Sequence, residues 1–460
     1  MFINRERELT HLLKAYHSKQ AEFIVIYGKR RVGKTELIKH SLKNVEGVYF
    51  LSQKITEHEN LKFLSQILSD KFNDSLLQEH PLTNWNQVFI YLQQKVKSLF
   101  VLAIDEFPYL IEVNPSTASI FQSGWEQILS KLPIKLVLCG SSVSMMESSV
   151  LGEKSPLFGR RTSQILLNPF KFAEVRLYFA DISFEHQIEL YSVLGGNPGY
   201  LKQFDSSLAL EENISRNILA PESYLYREVD FLMREELRDP HIYLSILSSI
   251  AYGKRKTSEI INSTSLQKNI LHKYLSVLEN LRMINKEIPI TEHNAVKSRK
   301  ALYELSDNFL KFYFRFILPN RSAIEEQRTK HILTKIRAEM PLIASVGFET
   351  ACKEWLDSNW LEFPLSKIGG WWDKNEEIDL IGFDNEMKNA VFCECKWSNK
   401  KVGTDILDEI KRKSELLMLN DKVKKHYALF SKSGFTDNLI SHKKKFKNIH
   451  LFSLKDLNKS

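Results

Sequence analysis

Two sets of residues in this chain have the types and spacing to do phosphate chemistry. The first is GKRRVGKT, Gly28–Thr35, which follows the apolar, β-branched run Phe23–Tyr27 and precedes a helical pattern from Glu36. This is G-x-x-x-x-G-K-[ST] in its strand–loop–helix setting. Gly28 and Gly33 let backbone wrap a phosphate with no Cβ in the way. The N–H groups of Lys29, Arg30, Arg31, Val32 and Gly33, and of the helix start through Glu36, favour an anion. Lys34 would put an ammonium on the β- and γ-phosphates of ATP, and Thr35 would hold Mg²⁺. The second set is Asp379, Glu394 and Lys396. Glu377–Phe383 and Ala390–Trp397 read as two strands around a turn, Asp384–Asn389. If Asp384 pairs with Asn389, Asp379 lies across from Glu394. Residues i and i+2 share a strand face, so Lys396 stands beside Glu394. Two facing carboxylates and a lysine suit a divalent ion, Mg²⁺ or Mn²⁺, with the lysine positioning a water. Glu349, on the preceding helical stretch GFETACKEWL, would complete the shell.

A third pair belongs with the first set. Leu99–Ile104 is a buried-type strand ending in Asp105-Glu106. Asp105 would hold the Mg²⁺ shell, and Glu106 would orient and polarise the attacking water. Lys135–Gly140 is another such strand, ending in Ser141-Ser142. Ser141 would either sense a γ-phosphate or cap the helix from Val143. Arg160 and Arg161 precede a fifth strand, Ser163–Leu167. Arg160 would reach the γ-phosphate of a neighbouring subunit, or form a surface charge pair. Asn4, Arg5 and Glu6 would cap the first helix or abut the base.

These sites need scaffolds. At 460 residues the chain exceeds a single core. Hydrophobic content of 43% and charged content of 26% are those of a globular protein. No stretch approaches the roughly eighteen apolar residues of a membrane span. The start, MFINRERELTHLLK, is charged and lacks a signal-peptide core. The four cysteines show no C-x-x-C pair, which points to reduced thiols and a cytoplasmic setting. The net charge of +8 is uneven: 396–460 carries 16 Lys/Arg against 7 Asp/Glu. A basic end on a near-neutral body suggests a polyanion partner, DNA first, or a solvated lysine face.

FINREREL, YGKRRVGKT, FVLAIDEFPYL, KLVLCGSS, PLFGRR and GGNPGYL together make residues 1–240 resemble the prokaryotic (archaeal-type) ATPase family, a branch of the AAA-like and STAND-like P-loop ATPases. The resemblance implies an ASCE-type parallel-sheet core over 1–169. It implies a helical lid over 170–240, starting nearest the nucleotide at Gly196, Asn197 and Pro198. Members commonly carry a winged helix and then a nuclease-like domain. The first fits 241–335: helices at 242–251, 257–261 and 266–281, then short strands at 282–290 and 300–305 around a hairpin with Lys297, Arg299 and Lys300. The third helix, with Gln267, Lys268, Asn269, His272 and Lys273, would enter a DNA groove or serve packing alone. The aromatic stretch NFLKFYFRFI reads as core of a connector. Helix Glu349, then Asp379, then Glu394-x-Lys396 resembles the PD-(D/E)XK restriction-endonuclease-like fold, with Ile378 in place of the leading proline. That domain is expected over 336–460, starting near Pro341. The expected fold class is therefore α/β and multidomain. The expected function is ATP hydrolysis coupled to a DNA-binding, metal-dependent nuclease domain, in a homo-oligomer if Arg160 acts across subunits. The alternative is a nucleotide-switched regulator whose C-terminal domain only docks.

Overall fold

The computed structural model describes residues 3–237, 239–292, 298 and 300–459. The chain is α/β and divides into two compact units, Met1–Pro169 and Phe170–Ser460.

The first unit is built on five strands: β1 (Glu22–Tyr27), β2 (Gly47–Leu51), β3 (Phe100–Asp105), β4 (Ile134–Gly140) and β5 (Ser163–Leu166). All pair in parallel, in the order β2-β3-β4-β1-β5. Parallel strands covered on both faces read as continuous apolar runs. Accordingly EFIVIY, FVLAID and IKLVLCG are almost wholly buried. Phe23, Val25 and Tyr27 pack into one core with Leu102, Leu136 and Trp85. Ile24 and Ile26 pack into the other with Leu12, Leu37 and Ile38. The strand carrying Ser141 lies between the phosphate-loop strand and the Asp105 strand, as expected. Lys135, buried inside β4, sends its ammonium to the carbonyls of Ser18, at 2.8 Å, and Gln20.

The second unit begins with helices as far as Glu236, broken by the Gly195–Asn197 turn. Asn197 caps the helix Pro198–Leu201 by accepting from Gly199 N at 3.0 Å. Helices His241–Ala251, Thr257–Thr264 and Lys268–Asn280 follow, and then an antiparallel hairpin of β6 (Ile284–Glu287) and β7 (Leu302–Leu305). Lys297 and Arg299 lie outside the described residues. The aromatic stretch is core: Phe309, Phe312, Tyr313, Phe314 and Phe316 are buried.

Pro341 does not open a domain. It sits inside one helix, Lys330–Asn359, which also runs through the expected 335/336 boundary. A proline there removes a hydrogen bond, yet Ile332, Ile336, Ala344, Phe348, Cys352 and Leu356 form a buried stripe at four-residue spacing. Burying that stripe outweighs the lost bond.

Five further strands complete the unit: β8 (Lys367–Asp373), β9 (Glu376–Phe383), β10 (Asn389–Lys396), β11 (Lys424–Ser431) and β12 (Ile449–Ser453), in the order β12-β11-β10-β9-β8. β8, β9 and β10 form an antiparallel meander, and β10, β11 and β12 are parallel. Helices Thr404–Glu415 and Asp437–Lys445 make the two parallel crossovers. Strand β8 is also stitched to the β6–β7 hairpin. Ile290 N donates to Gly370 O at 2.9 Å, Trp372 Nε1 to Lys300 O at 2.8 Å, and Lys300 pairs with Asp373 at 3.0 Å. Lys300, the described member of the expected wing, is thus held by its own chain. No helix is long and apolar enough to cross a membrane, among the described residues.

Candidate active sites

The phosphate loop joins β1 to the helix Lys34–Ser41, which starts two residues earlier than the sequence pattern suggests. Gly28 has φ +154°, and a Cβ there would stand 2.2 Å from the carbonyl oxygen of Leu167. Gly33, at φ +94°, is the left-handed residue that turns the loop into the helix. Gly28→Ala is expected to force the loop off Leu167 at a cost of about 1–3 kcal/mol, lowering nucleotide affinity roughly 10- to 100-fold in a nucleotide titration.

Lys34 is buried and donates to the carbonyls of Gly28 at 2.9 Å and Lys29 at 2.8 Å. Burial pushes its ammonium below the ordinary lysine range. Thr35 Oγ1 donates to Asp105 Oδ2 at 2.6 Å. Asp105 is buried and accepts twice more, from Tyr49 OH on Oδ2 at 2.8 Å and from Glu106 N on Oδ1 at 2.9 Å. Burial first, and then the Asp105 charge, raises the Tyr49 phenol. A hydroxyl and a carboxylate in contact at the helix start are an all-oxygen donor pair, which fits Mg²⁺.

Glu106 takes the left-handed conformation, φ 53°. Its carboxylate accepts from Ser141 N at 3.2 Å and from the Ser141 hydroxyl. Thus Ser141 holds the acid expected to activate water. Arg160 pairs with Glu126, with Nε to Oε1 at 2.9 Å, and donates to Phe158 O at 2.7 Å. That is the surface charge pair left open by the sequence. Arg31 is exposed with φ 65°, Val32 is buried, and Glu36 is exposed on the first helical turn.

Two supporting residues, Tyr49 and Ser52, escaped sequence reasoning, and another, Arg5, reads from the sequence only as a helix cap or base contact. Arg5 is buried and donates to Val32 O at 3.1 Å and Asn168 O at 2.6 Å, tying the loop to the end of the unit. Ser52 Oγ donates to the carbonyls of Asp105 at 2.6 Å and Glu106 at 2.8 Å. Tyr49 and Ser52 flank the end of β2, whose neighbour is β3, so the strand order is the signal that would have found them.

In the second unit the hairpin register is the one the turn implies. Phe383 faces Ala390 and Leu380 faces Cys393. One step further places Asp379 across from Glu394. Asp379 Oδ2 accepts from Cys395 N at 2.7 Å, and Lys396 Nζ lies 2.5 Å from Glu394 Oε1. Glu394 is buried, and its second oxygen, Oε2, is a buried acceptor with no hydrogen bond. Glu349 and Asp379 both line a cavity of about 550 Å³ whose walls include Arg255, Tyr303, Lys311 and Trp372. Glu349 keeps accessible surface because it faces that cavity. Burial raises both carboxyls to about 7, and each is pushed further by a neighbouring acid, Asp379 acting on Glu349 and Glu394 on Asp379. Two carboxyls pushed up by burial and by neighbouring acids, beside a third whose Oε2 is an orphaned buried acceptor, make an all-oxygen donor set. That composition fits a hard divalent cation. The exposed face of Lys268–Asn280 carries Lys268, Asn269, His272 and Lys273.

Comparison with known proteins agrees with the first site. Residues 2–204 match the family described as an ATPase domain predominantly from Archaea, and 313–413 match archaeal and bacterial proteins of unknown function. The uncharacterized protein MJECL04 of Methanocaldococcus jannaschii is 38% identical over 438 residues, covering 94% of this chain and 96% of that protein. The uncharacterized ATP-binding protein MJ0423 of the same organism is 50% identical over 44 residues, 10% of this chain and 75% of that one. In fold, the chain is similar to the Walker-type ATPase PABY2304 of Pyrococcus abyssi, with a TM-score of 0.53 and 22% identity over 68% of this chain and 96% of that one. With a nucleotide loop of this geometry and relatives of this extent, the chain belongs to the archaeal-type P-loop ATPase family.

Proposed function

We propose that this protein hydrolyses ATP in its first unit and uses the nucleotide cycle to control a DNA-acting, metal-dependent phosphodiesterase in its second. At the ATP site Lys34 leaves its two loop carbonyls for the β- and γ-phosphates, and Thr35 and Asp105 hold Mg²⁺. Glu106 positions the attacking water once it is released from Ser141. Ser141 is thus a brake on the acid as well as a γ-phosphate sensor. Arg160, freed from Glu126, would serve a neighbouring subunit in a homo-oligomer. The setting that suits this chemistry is the cytoplasm.

The observation that carries the phosphodiesterase reading is the convergence of Asp379, Glu394 and Lys396 on one hairpin, with Glu349 facing the same cavity as Asp379. The order helix, three-stranded meander, helix, parallel strand is that of restriction-endonuclease-like domains. Asp379, Glu394 and Glu349 would hold Mg²⁺ or Mn²⁺, which would polarise the scissile phosphate and lower the pKa of a water. Lys396, held by Glu394, orients that water and offsets charge as the phosphate is attacked. The exposed basic face of Lys268–Asn280 and the lysines of 396–460 supply phosphate contacts. The convergence of the three side chains supports this reading over a docking role.

The test uses the full chain with single-stranded, duplex and branched DNA. Cleavage is expected with Mg²⁺ or Mn²⁺ and none with chelator. An intact substrate in all three cases with both metals overturns the nuclease half.

A further inference from the structure

A second cluster of metal-ligating side chains lies at the other end of the C-terminal sheet. Glu362, His426 and His450 are far apart in sequence, yet one ligand atom from each lies within 4.8 Å of the others. His426 stands near the start of β11 and His450 near the start of β12. Glu362 comes from the connection after the long helix. His426 pairs in register with Val391, three residues before Glu394, so the cluster sits about 10 Å along the strands from the acid site.

Its geometry is that of a soft-to-borderline cation. His426 Nδ1 and His450 Nε2 are 3.3 Å apart. Two nitrogens bound to a tetrahedral zinc at about 2.0–2.1 Å lie about 3.3–3.4 Å from each other. Glu362 Oε1 lies 3.7 Å from His450 Nδ1, the ring nitrogen other than the one that faces His426, and one ligand atom from each of the three residues still falls within 4.8 Å of the others. Aromatic rings from the connection after the long helix pack on the imidazoles: the Trp360 ring centroid is 4.8 Å from His450, and that of Phe363 is 5.4 Å from His426. Burial keeps both imidazoles below their ordinary pKa, hence neutral near pH 7, the form that binds metal. Glu362 opposes that shift, while Lys424 bears on His426 and Lys443 on His450 as nearby positive charges that favour the neutral form.

We propose that Glu362, His426 and His450 form a zinc-class metal site that ties β11, β12 and the end of the long helix together, separate from the Mg²⁺- or Mn²⁺-type acid site. Two imidazoles and one carboxylate leave a fourth position for water.

The experiment titrates chelator-stripped full-length protein with Zn²⁺, and separately with Co²⁺, in the absence of nucleotide. One equivalent is expected to bind, with the visible absorption of tetrahedral Co²⁺ and a raised melting temperature. His426→Asn and His450→Asn should each weaken binding at least about 100-fold while leaving ATP turnover intact. Glu362 is exposed, so Glu362→Gln should keep the fold and also lose affinity. Asp379→Asn should leave the Co²⁺ spectrum in place. Absence of binding, or a spectrum that survives both histidine substitutions, overturns the site and leaves a hydrogen-bonded histidine pair.

Discussion

Glu106→Gln should bind ATP as tightly as the unaltered protein and turn it over about 10²–10⁴-fold more slowly. The separation follows from where the groups sit. On the proposed reading, binding rests on Lys34, Thr35 and the loop amides, whereas the Glu106 carboxylate accepts from Ser141. Glu106 itself is held in a left-handed conformation after β3, with its carboxylate turned to Ser141. Glutamine keeps the shape but cannot act as a base, so kcat falls while nucleotide affinity stays. Lys34→Ala should give the opposite pattern. It removes the ammonium that replaces two loop carbonyl bonds with phosphate bonds, so affinity itself collapses. Nucleotide titration and phosphate release, measured on both variants, separate the two roles.

The second large effect belongs to Asp379. Asp379→Ala is expected to lower metal-dependent DNA cleavage at least about 100-fold, because it removes a ligand. Its conservative partner, Asp379→Asn, has a readout that a simple structural role would not give. The folded protein holds the carboxyls of Asp379 and Glu349 near 7, well above their unfolded values. A carboxyl raised in this way binds more protons folded than unfolded. Its stabilising effect is complete below the ordinary carboxylate range and is lost as pH rises through about 7. The metal-free protein is therefore expected to lose stability on going from about pH 5 to about pH 8, by an amount on the order of a few kcal/mol for the coupled acids. Without nucleotide, Mn²⁺ should raise the melting temperature much more at the higher pH than at the lower. Asp379→Asn should raise the metal-free melting temperature at about pH 8 and reduce the Mn²⁺ effect.

Much of this was legible because it is local. GKRRVGKT needs only its own loop, and β1, β3 and β4 announce themselves as unbroken apolar runs. The Asp379–Glu394 alignment followed from one turn, since a hairpin register is fixed by where the chain reverses. What stayed hidden depends on distant chain. Arg5 reaches Val32 and Asn168. Tyr49 meets Asp105 only because β2 lies beside β3. His426 and His450 approach only through the parallel pairing of β11 with β12. Pro341 misled for a related reason: a local helix breaker was overruled by a buried stripe running the length of the helix. Lys300, one of the wing charges read as DNA contacts, has its partner Asp373 on β8, a pairing no local pattern announces.

The central claim is that one chain carries two phosphate chemistries at distinct sites, the first controlling the second. It is tested most directly by measuring ATP turnover and DNA cleavage side by side on the unaltered protein, Glu106→Gln and Asp379→Ala. The prediction is that Asp379→Ala hydrolyses ATP but leaves DNA intact with Mg²⁺ or Mn²⁺, whereas Glu106→Gln loses ATP turnover and the nucleotide-dependent change in cleavage but keeps the metal-binding acids. DNA cleavage that persists in Asp379→Ala, or ATP turnover that persists in Glu106→Gln, would contradict it.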